Sequence, residues 1–203
     1  EDRNAYTFQV IDNTLKAIFP DKRFTAKLIS TLVLDCIIGN EDRHRENWGI
    51  IVTNSAENTS RSSFFKKPQT QTSSYRFAPI YDSGSSLGRE QNEDKIVQML
   101  RDKNMMEAYI NRYKPEVRLV EGKKIHYSEM VQYLLADDNY KQHTKRIIEK
   151  FVKAYDIDQV TYIVNHIDDS LPNEYNAFKL TDARKKFVIS LMTQRLNKLK
   201  KLI

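Results

Sequence analysis

The sequence predicts a mainly α-helical protein with one small β-hairpin near its N-terminal end. Apolar residues at helical spacing occupy residues 24–38, and four further amphipathic stripes follow residue 88. Glycine and proline number only five each in 203 residues, which disfavours an all-β fold with many turns. The hydrophobic fraction of 40% is sufficient for a packed core in one domain, or in one lobe of a larger one.

The first predicted helix covers residues 24–38. Apolar residues recur there at a spacing of four along two adjacent stripes, which is typical of a buried helix. Gly39 follows directly, and glycine is best suited to the left-handed turn that ends helices. Residues 40–47 are all polar, so a polar loop is expected after this helix. Cys36 lies on the apolar face and is interpreted as a small core residue rather than a nucleophile.

Two short extended segments, 48–53 and 75–81, are predicted to pair as the β-hairpin. Both contain β-branched and aromatic residues, and Pro79 places the second segment near a strand end. Residues 54–74 between them contain six Ser and three Thr. This composition predicts a flexible polar insert at the tip of the hairpin.

The loops that flank the hairpin carry candidate ligands for a metal ion. A hairpin brings its outer ends together, so Asp42, Asn47 and Asp82 are expected to converge on one face. Two carboxylates and a carboxamide supply the hard oxygen ligands that Mg²⁺ prefers. In phosphoryl transfer, an Asp five residues before an Asn orients the attacking hydroxyl. The Asn and a second Asp hold metal against the nucleotide phosphates.

The pattern Gly-Asn-x-Asp-Arg-His-x-x-Asn at residues 39–47, followed by Ala-Pro-x-Tyr-Asp-x-Gly at residues 78–84, resembles the C-terminal domain of HipA-like serine/threonine kinases. The resemblance implies a mainly α fold, similar to the C-terminal helical lobe of protein kinases, whose hairpin carries the catalytic and metal loops. It also implies ATP- and Mg²⁺-dependent phosphorylation of protein Ser or Thr. In this interpretation Asp42 is the catalytic aspartate, while Asn47 and Asp82 bind Mg²⁺ and the nucleotide.

The resemblance assigns all of residues 1–203 to this C-terminal lobe. A kinase also needs a glycine-rich loop over the nucleotide and a strand lysine that contacts phosphate. The five glycines form no phosphate-cradling cluster. The expectation is therefore that an N-terminal nucleotide-binding lobe is supplied in cis or in trans, and that this chain alone binds ATP weakly and is inactive.

The partners that the resemblance implies are a protein substrate and a small DNA-binding antitoxin that counters the kinase as a toxin. Some HipA-like relatives are instead secreted effectors. A cytoplasmic location is expected, since the single Cys36 fits a reducing cytosol, although it fits many other places too. No apolar run approaches the ~20 residues that span a bilayer, so no transmembrane helix is expected. A net charge of +6 is mild for this length, so direct nucleic-acid binding is not expected.

Two alternatives remain at this stage. The Asp-Arg-His run at residues 42–44 is shared with phosphatidylinositol-type kinases, so the chain could be the lobe of a lipid or small-molecule kinase. It could also be a non-catalytic interaction module that keeps the loops without holding ATP. In the kinase interpretations, His44 is expected to contact the γ-phosphate or to order the loop. A zinc site that includes His44 is disfavoured, because the four histidines lack the spacings typical of zinc motifs.

Overall fold

The computed structural model describes residues 5–19, 22–56, 71–119 and 122–203. It confirms a mostly helical protein with one two-stranded antiparallel sheet. The elements of these residues, in chain order, are α1 (Phe8–Ile18), α2 (Arg23–Ile38), β1 (Ile50–Ala56), β2 (Gln71–Phe77), α3 (Glu93–Arg101), α4 (Lys103–Asn111), α5 (Tyr127–Ala136), α6 (Lys141–Ala154), α7 (Ile157–His166), a 3₁₀-helix (Asn173–Phe178) and α8 (Asp182–Lys200).

Helix α2 is the central element, because α1, α5, α6 and α8 all pack against it. Its apolar stripes are buried, with Leu28, Ile29 and Leu32 at most 1% exposed. The helix begins one residue before the predicted start and ends at Gly39, whose φ of +68° is left-handed. The predicted helix and its glycine stop are therefore both confirmed, and the polar loop leaves from a rigid, buried support.

Two hydrophobic clusters form the core. The larger one joins α1, α2, α5, α6 and the end of α8, while the smaller one joins α3, α4, the start of α5 and α8. Cys36 packs against both clusters and is partly buried. Burial raises the pKa of its thiol to about 12, so the group is a protonated thiol at neutral pH and a poor nucleophile.

The hairpin is displaced along the sequence from its predicted position. Ile50 pairs with Phe77 and Thr53 with Ser74, so the strands extend from each side into the predicted insert. Residues 54–56 and 71–74 are thus paired strand rather than flexible insert, and residues 57–70 lie outside the described residues. The physical reason is that backbone groups form the ladder, so polar side chains do not end it.

The base of the hairpin holds its two outer ends together. The rings of Trp48 and Phe77 stack with their centroids 5.5 Å apart, and Gly49 accepts a backbone hydrogen bond from Ala78 at 2.8 Å. Pro79 follows, and the backbone leaves the sheet there, as a residue without an N–H predicts. The loops at residues 40–47 and 81–84 therefore start from the same end of the sheet.

The C-terminal half is helical, as predicted. Pro172 separates α7 from α8 and precedes the 3₁₀-helix, and Thr181 caps α8 by accepting a hydrogen bond from the Arg184 N–H at 3.0 Å. The predicted stripe on α7 is buried only at Val164. None of the helices in the described ranges is long and apolar enough to cross a membrane.

Candidate active site

A buried arginine, Arg43, lies at the centre of the candidate site. Its side chain is 1% exposed and forms a bidentate ion pair with Asp35, with Nε 2.9 Å from Oδ2 and Nη2 2.8 Å from Oδ1. Asp35 is fully buried in the last turn of α2. Burial raises the pKa of its carboxyl group, and the Arg43 guanidinium opposes that shift. The pair fixes the polar loop to the end of the central helix.

The same guanidinium also contacts the second loop, which is the loop at residues 81–84. Nη1 donates to the backbone carbonyls of Asn47 at 2.7 Å and Tyr81 at 2.6 Å, and Nη2 donates to Ser83 Oγ at 3.0 Å. Asp82 lies between the two residues of the second loop that Arg43 holds. One side chain therefore joins the segments that carry the predicted catalytic and metal-binding residues.

The loop at residues 40–47 is a tight turn that exposes the Asp42 carboxylate. The Asp42 carbonyl accepts hydrogen bonds from Asn47 Nδ2 at 2.7 Å and from the His44 N–H at 2.9 Å. The Asp42 N–H donates to Asn40 Oδ1 at 3.2 Å. The backbone N–H and carbonyl groups of Asp42 thus both form hydrogen bonds within the turn. Its side chain, in contrast, is 53% exposed. The carboxylate is therefore open to solvent.

Asn47 and Asp82 offer a donor set that fits Mg²⁺. The Asn47 amide nitrogen is committed to the Asp42 carbonyl, which leaves Oδ1 as the group for a ligand. The Asp82 carboxylate is exposed, and its backbone is left-handed at φ +49°, which is uncommon for residues other than glycine. Within the described ranges, no three His, Cys, Asp or Glu residues form a metal cluster. A metal here would therefore complete its shell with phosphate and water, as Mg²⁺ usually does.

His44 takes part in the hydrogen bonding of the loop. Its Nδ1 accepts from the Glu46 N–H at 3.2 Å, and its Nε2 lies 4.0 Å from Asp42 Oδ1. Since Nδ1 is an acceptor, the neutral imidazole carries its proton on Nε2, the nitrogen near Asp42. A donor is thereby placed beside the exposed carboxylate. The contact with a γ-phosphate stays a prediction.

The sequence analysis did not identify several residues that hold these loops. Asp35 is the main omission. The sequence does single it out in one respect, because Asp35 is the one charged residue between Lys27 and Glu41. Aromatic hydroxyl and indole groups form the rest of the support. Tyr127 donates to the Asn40 carbonyl, and Tyr6 donates to the Arg43 carbonyl at 3.2 Å. The other two such groups are those of Trp48, which donates to Tyr6, and Tyr81, which donates to the Glu46 carbonyl.

Comparisons with known proteins agree with this architecture. No protein-family model and no curated protein matches the chain. Among solved structures, a similar one is the Helicobacter pylori proinflammatory kinase CtkA, with a TM-score of 0.62 and 19% sequence identity. The similarity covers 89% of this chain and 52% of that one, so the chain spans about half the length of that kinase. The chain thus has a kinase-like fold, and its helical body with one small hairpin matches a C-terminal helical lobe.

Proposed function

We propose that this chain carries the catalytic and metal-binding loops of a HipA-like kinase that transfers phosphate from ATP to protein Ser or Thr. One observation carries the proposal. The Arg43 guanidinium joins the loop of Asp42 and Asn47 to the loop of Asp82, two segments that the sequence separates by about 40 residues. The kinase-like fold supports the same assignment.

Asp42 is the proposed catalytic residue. Its exposed carboxylate accepts the proton of the acceptor hydroxyl and orients that oxygen toward the phosphate. The hydrogen bonds of its backbone N–H and carbonyl groups hold the main chain from which the carboxylate extends. Phosphoryl transfer depends mainly on such positioning and on charge neutralisation, so a rigid loop is the main contribution of this lobe.

Asn47 and Asp82 are the proposed ligands of the metal. When bound, Mg²⁺ supplies charge neutralisation at the nucleotide phosphates. The chain holds Asp82 in place through the contacts of Arg43 with its two neighbours, Tyr81 and Ser83. His44 is proposed to donate its Nε2 proton to a phosphate oxygen, because that nitrogen lies beside Asp42.

The rest of the ATP site is proposed to come from an N-terminal lobe, in cis or in trans, because the sequence contains no glycine-rich phosphate loop. The isolated chain is therefore expected to bind Mg²⁺–ATP weakly. A protein substrate, a DNA-binding antitoxin partner and a cytoplasmic or secreted location belong to the same proposal.

Phosphate transfer from γ-labelled ATP tests the proposal, in a protein that combines this chain with its nucleotide-binding lobe. Asp42→Asn and Asp82→Asn are each expected to lower the rate by about 100-fold or more, with an unchanged circular dichroism spectrum. Asp94→Asn, an exposed carboxylate on α3, is the matched control and should retain activity. Full activity of Asp82→Asn at matched Mg²⁺ would contradict the metal assignment.

Acceptor identity separates the alternatives. We expect transfer to protein Ser or Thr, whereas transfer restricted to phosphatidylinositol vesicles or to small alcohols would indicate a lipid or small-molecule kinase. Mn²⁺ with ATP provides a second readout by nuclear magnetic resonance. Paramagnetic broadening of the amide signals at residues 42, 47 and 82 is expected. The absence of both broadening and transfer would indicate a non-catalytic interaction module.

A further inference from the structure

A groove of about 530 Å³ lies between the first half of α2 and helix α6. The described residues that line it all belong to these two helices. On α2 they end at Ser30, and the helix between Ser30 and Gly39 is roughly 13 Å long. The groove is therefore separate from the candidate active site.

The floor of the groove is apolar. Ala26 of α2 and Ile147 and Phe151 of α6 form it, and all three are half-buried. The two α6 residues also pack against the larger hydrophobic cluster. The floor is therefore continuous with the core, and it offers an apolar surface that the described part of the chain covers only in part.

The rim of the groove is positively charged on both sides. Arg23 and Lys27 line it from α2, and Arg146 and Lys150 line it from α6. The residues of each pair are four positions apart, so they share a face of their helix, and all four are exposed. None of the described residues that line the groove is acidic. The groove thus combines an apolar floor with two cationic rims.

Neighbouring carboxylates compensate little of this charge. Within the described ranges, Lys27, Arg146 and Lys150 form no ion pair with a carboxylate. Helix α6 as a whole carries five Lys or Arg residues and one acidic residue, Glu149. Like charges along one groove repel each other, so the groove attracts an anionic partner that neutralises them.

The apolar floor separates two kinds of anionic partner. The phosphates of a nucleic acid are bound by cationic side chains, which need no apolar surface between them. An amphipathic helix, in contrast, places its apolar face into a hydrophobic groove and its charged residues at the edges of that groove. A half-buried apolar floor between two cationic rims therefore favours a protein segment over a nucleic acid.

We propose that this groove binds an acidic amphipathic helix of a partner protein. The apolar face of that helix contacts the floor, and its Asp and Glu residues pair with the two rims. The α6 wall extends from His143 to Ala154, about 16 Å along the helix axis, so the groove accommodates about three turns of a bound helix. This docking does not depend on the proposed kinase activity.

Binding is tested on the 203-residue chain without nucleotide, so the outcome is independent of the kinase proposal. The probe is a synthetic peptide of about 14 residues, with leucine at every third or fourth position and glutamate at most others. Two matched peptides replace the glutamates with glutamine or the leucines with alanine. A uridine RNA of similar length represents the nucleic acids. Saturable shifts of the amide signals at residues 23–30 and 143–154 are expected with the acidic, leucine-containing peptide.

Each matched peptide should bind about tenfold or more weakly. The absence of saturable shifts with the acidic, leucine-containing peptide would overturn the proposal. Equal binding of the glutamine peptide would overturn the role of charge, and equal binding of the alanine peptide would overturn the role of the apolar floor. Binding of the RNA at least as tightly as the acidic peptide would overturn the choice of a protein partner.

Two triple variants of equal net charge assign the site. The groove variant replaces three exposed rim residues: Lys27→Gln, Arg146→Gln and Lys150→Gln. The control variant replaces three exposed lysines of α6 that lie outside the lining: Lys141→Gln, Lys145→Gln and Lys153→Gln. At about 0.15 M salt, the groove variant should bind the acidic peptide about tenfold or more weakly, whereas the control should change the affinity less than about threefold.

A further variant changes the shape of the groove and keeps its charge. Ser30→Trp adds bulk to the α2 wall, retains every rim residue and should also weaken binding of the acidic peptide. Equal losses in the two triple variants would show a response to overall charge and would overturn the site. Unchanged affinity in both the groove variant and Ser30→Trp would also overturn it. Circular dichroism checks that each variant is folded.

Discussion

One buried arginine lies in the loop at residues 40–47 and another packs against Gly39 directly before that loop, and the two differ completely in how their donors are used. Arg43 is 1% exposed, and its guanidinium makes five hydrogen bonds, two of them to the Asp35 carboxylate. Arg195 is 3% exposed and rests on the Tyr113 ring, and its two terminal nitrogens have no hydrogen-bond partner in the described part of the chain.

The difference is between a buried charge that is fully hydrogen-bonded and a buried charge whose terminal nitrogens have no hydrogen-bond partner within the described residues. Taking a guanidinium out of water is unfavourable, and Arg43 recovers that free energy from a bidentate carboxylate and three further acceptors. Arg195 has no such compensation within the described ranges. Arg43 is therefore interpreted as part of the framework of the candidate site, whereas the terminal nitrogens of Arg195 are enclosed between Gly39 and the Tyr113 ring.

The largest expected effect is a difference in the free energy of unfolding between two single variants, in each of which one arginine is replaced by methionine. Arg43→Met leaves the Asp35 carboxylate buried without its counter-charge and should lower the free energy of unfolding by about 3–5 kcal/mol. Arg195→Met removes a buried cation without leaving a partner, and should change that free energy by less than about 1 kcal/mol. Urea denaturation measures both values. Equal losses at the two positions would contradict the comparison.

A smaller effect is expected from Gly39→Ala, which probes the contact between Arg195 and the residue directly before the loop at residues 40–47. The left-handed backbone of Gly39 disfavours any side chain, and the new methyl group would overlap the guanidinium. The free energy of unfolding should fall by about 2–3 kcal/mol in total. About 1 kcal/mol of this loss, the backbone part, should remain in an Arg195→Met background.

Gly84→Ala is the matched control, because a Cβ atom there would have no neighbour within 4 Å. This variant should change the free energy of unfolding by less than about 0.5 kcal/mol. Additive effects of Gly39→Ala and Arg195→Met would show that the two residues are not coupled. The packing of Arg195 against Gly39 would then have no energetic consequence.

Features that depend on the helical spacing of apolar residues and on a helix-ending glycine can be predicted from the sequence. Helix α2 was predicted to within one residue, since two apolar stripes end directly at Gly39. The strand bounds were shifted, because side-chain composition does not define where backbone pairing ends. The motifs of the loops with Asp42, Asn47 and Asp82 are visible in the sequence, and the roles of these residues stay predictions. The contacts that hold the loops together could not be predicted.

The two arginines show why that information is missing from the sequence. Arg195 lies four residues from both Leu191 and Leu199, in an apolar stripe of α8, so its position indicates burial. Nothing in the helical pattern indicates whether a partner is present. Asp35 pairs with Arg43 only because the chain reverses after Gly39, and the contacts with Tyr81 and Ser83 require the folded hairpin.

The smallest expected effect concerns Glu90. Its carboxylate accepts a hydrogen bond from Tyr113, whose ring is in contact with the Arg195 guanidinium. Its carboxylate accepts hydrogen bonds from Tyr109 and Tyr113 and pairs with Arg112, each at 2.8 Å. Burial acts to raise the pKa of this carboxyl group, but hydrogen bonds from Gln91 and the two tyrosines lower it to about 2. The folded-state pKa is thus below that of the unfolded chain. The stabilisation is complete above about pH 4.5 and is lost as the pH falls toward 2.

Glu90→Gln should therefore reduce the dependence of the free energy of unfolding on pH between about 4.5 and 2. Because the Glu90 side chain is 48% exposed, solvent screening keeps the difference below about 1 kcal/mol. Glu149→Gln, at an exposed position on α6, is the control and should follow the unsubstituted chain. Identical acid profiles for Glu90→Gln and the unsubstituted chain would show that these hydrogen bonds do not stabilise the folded state. The support of the Tyr113 ring beneath Arg195 would then have to come from packing alone.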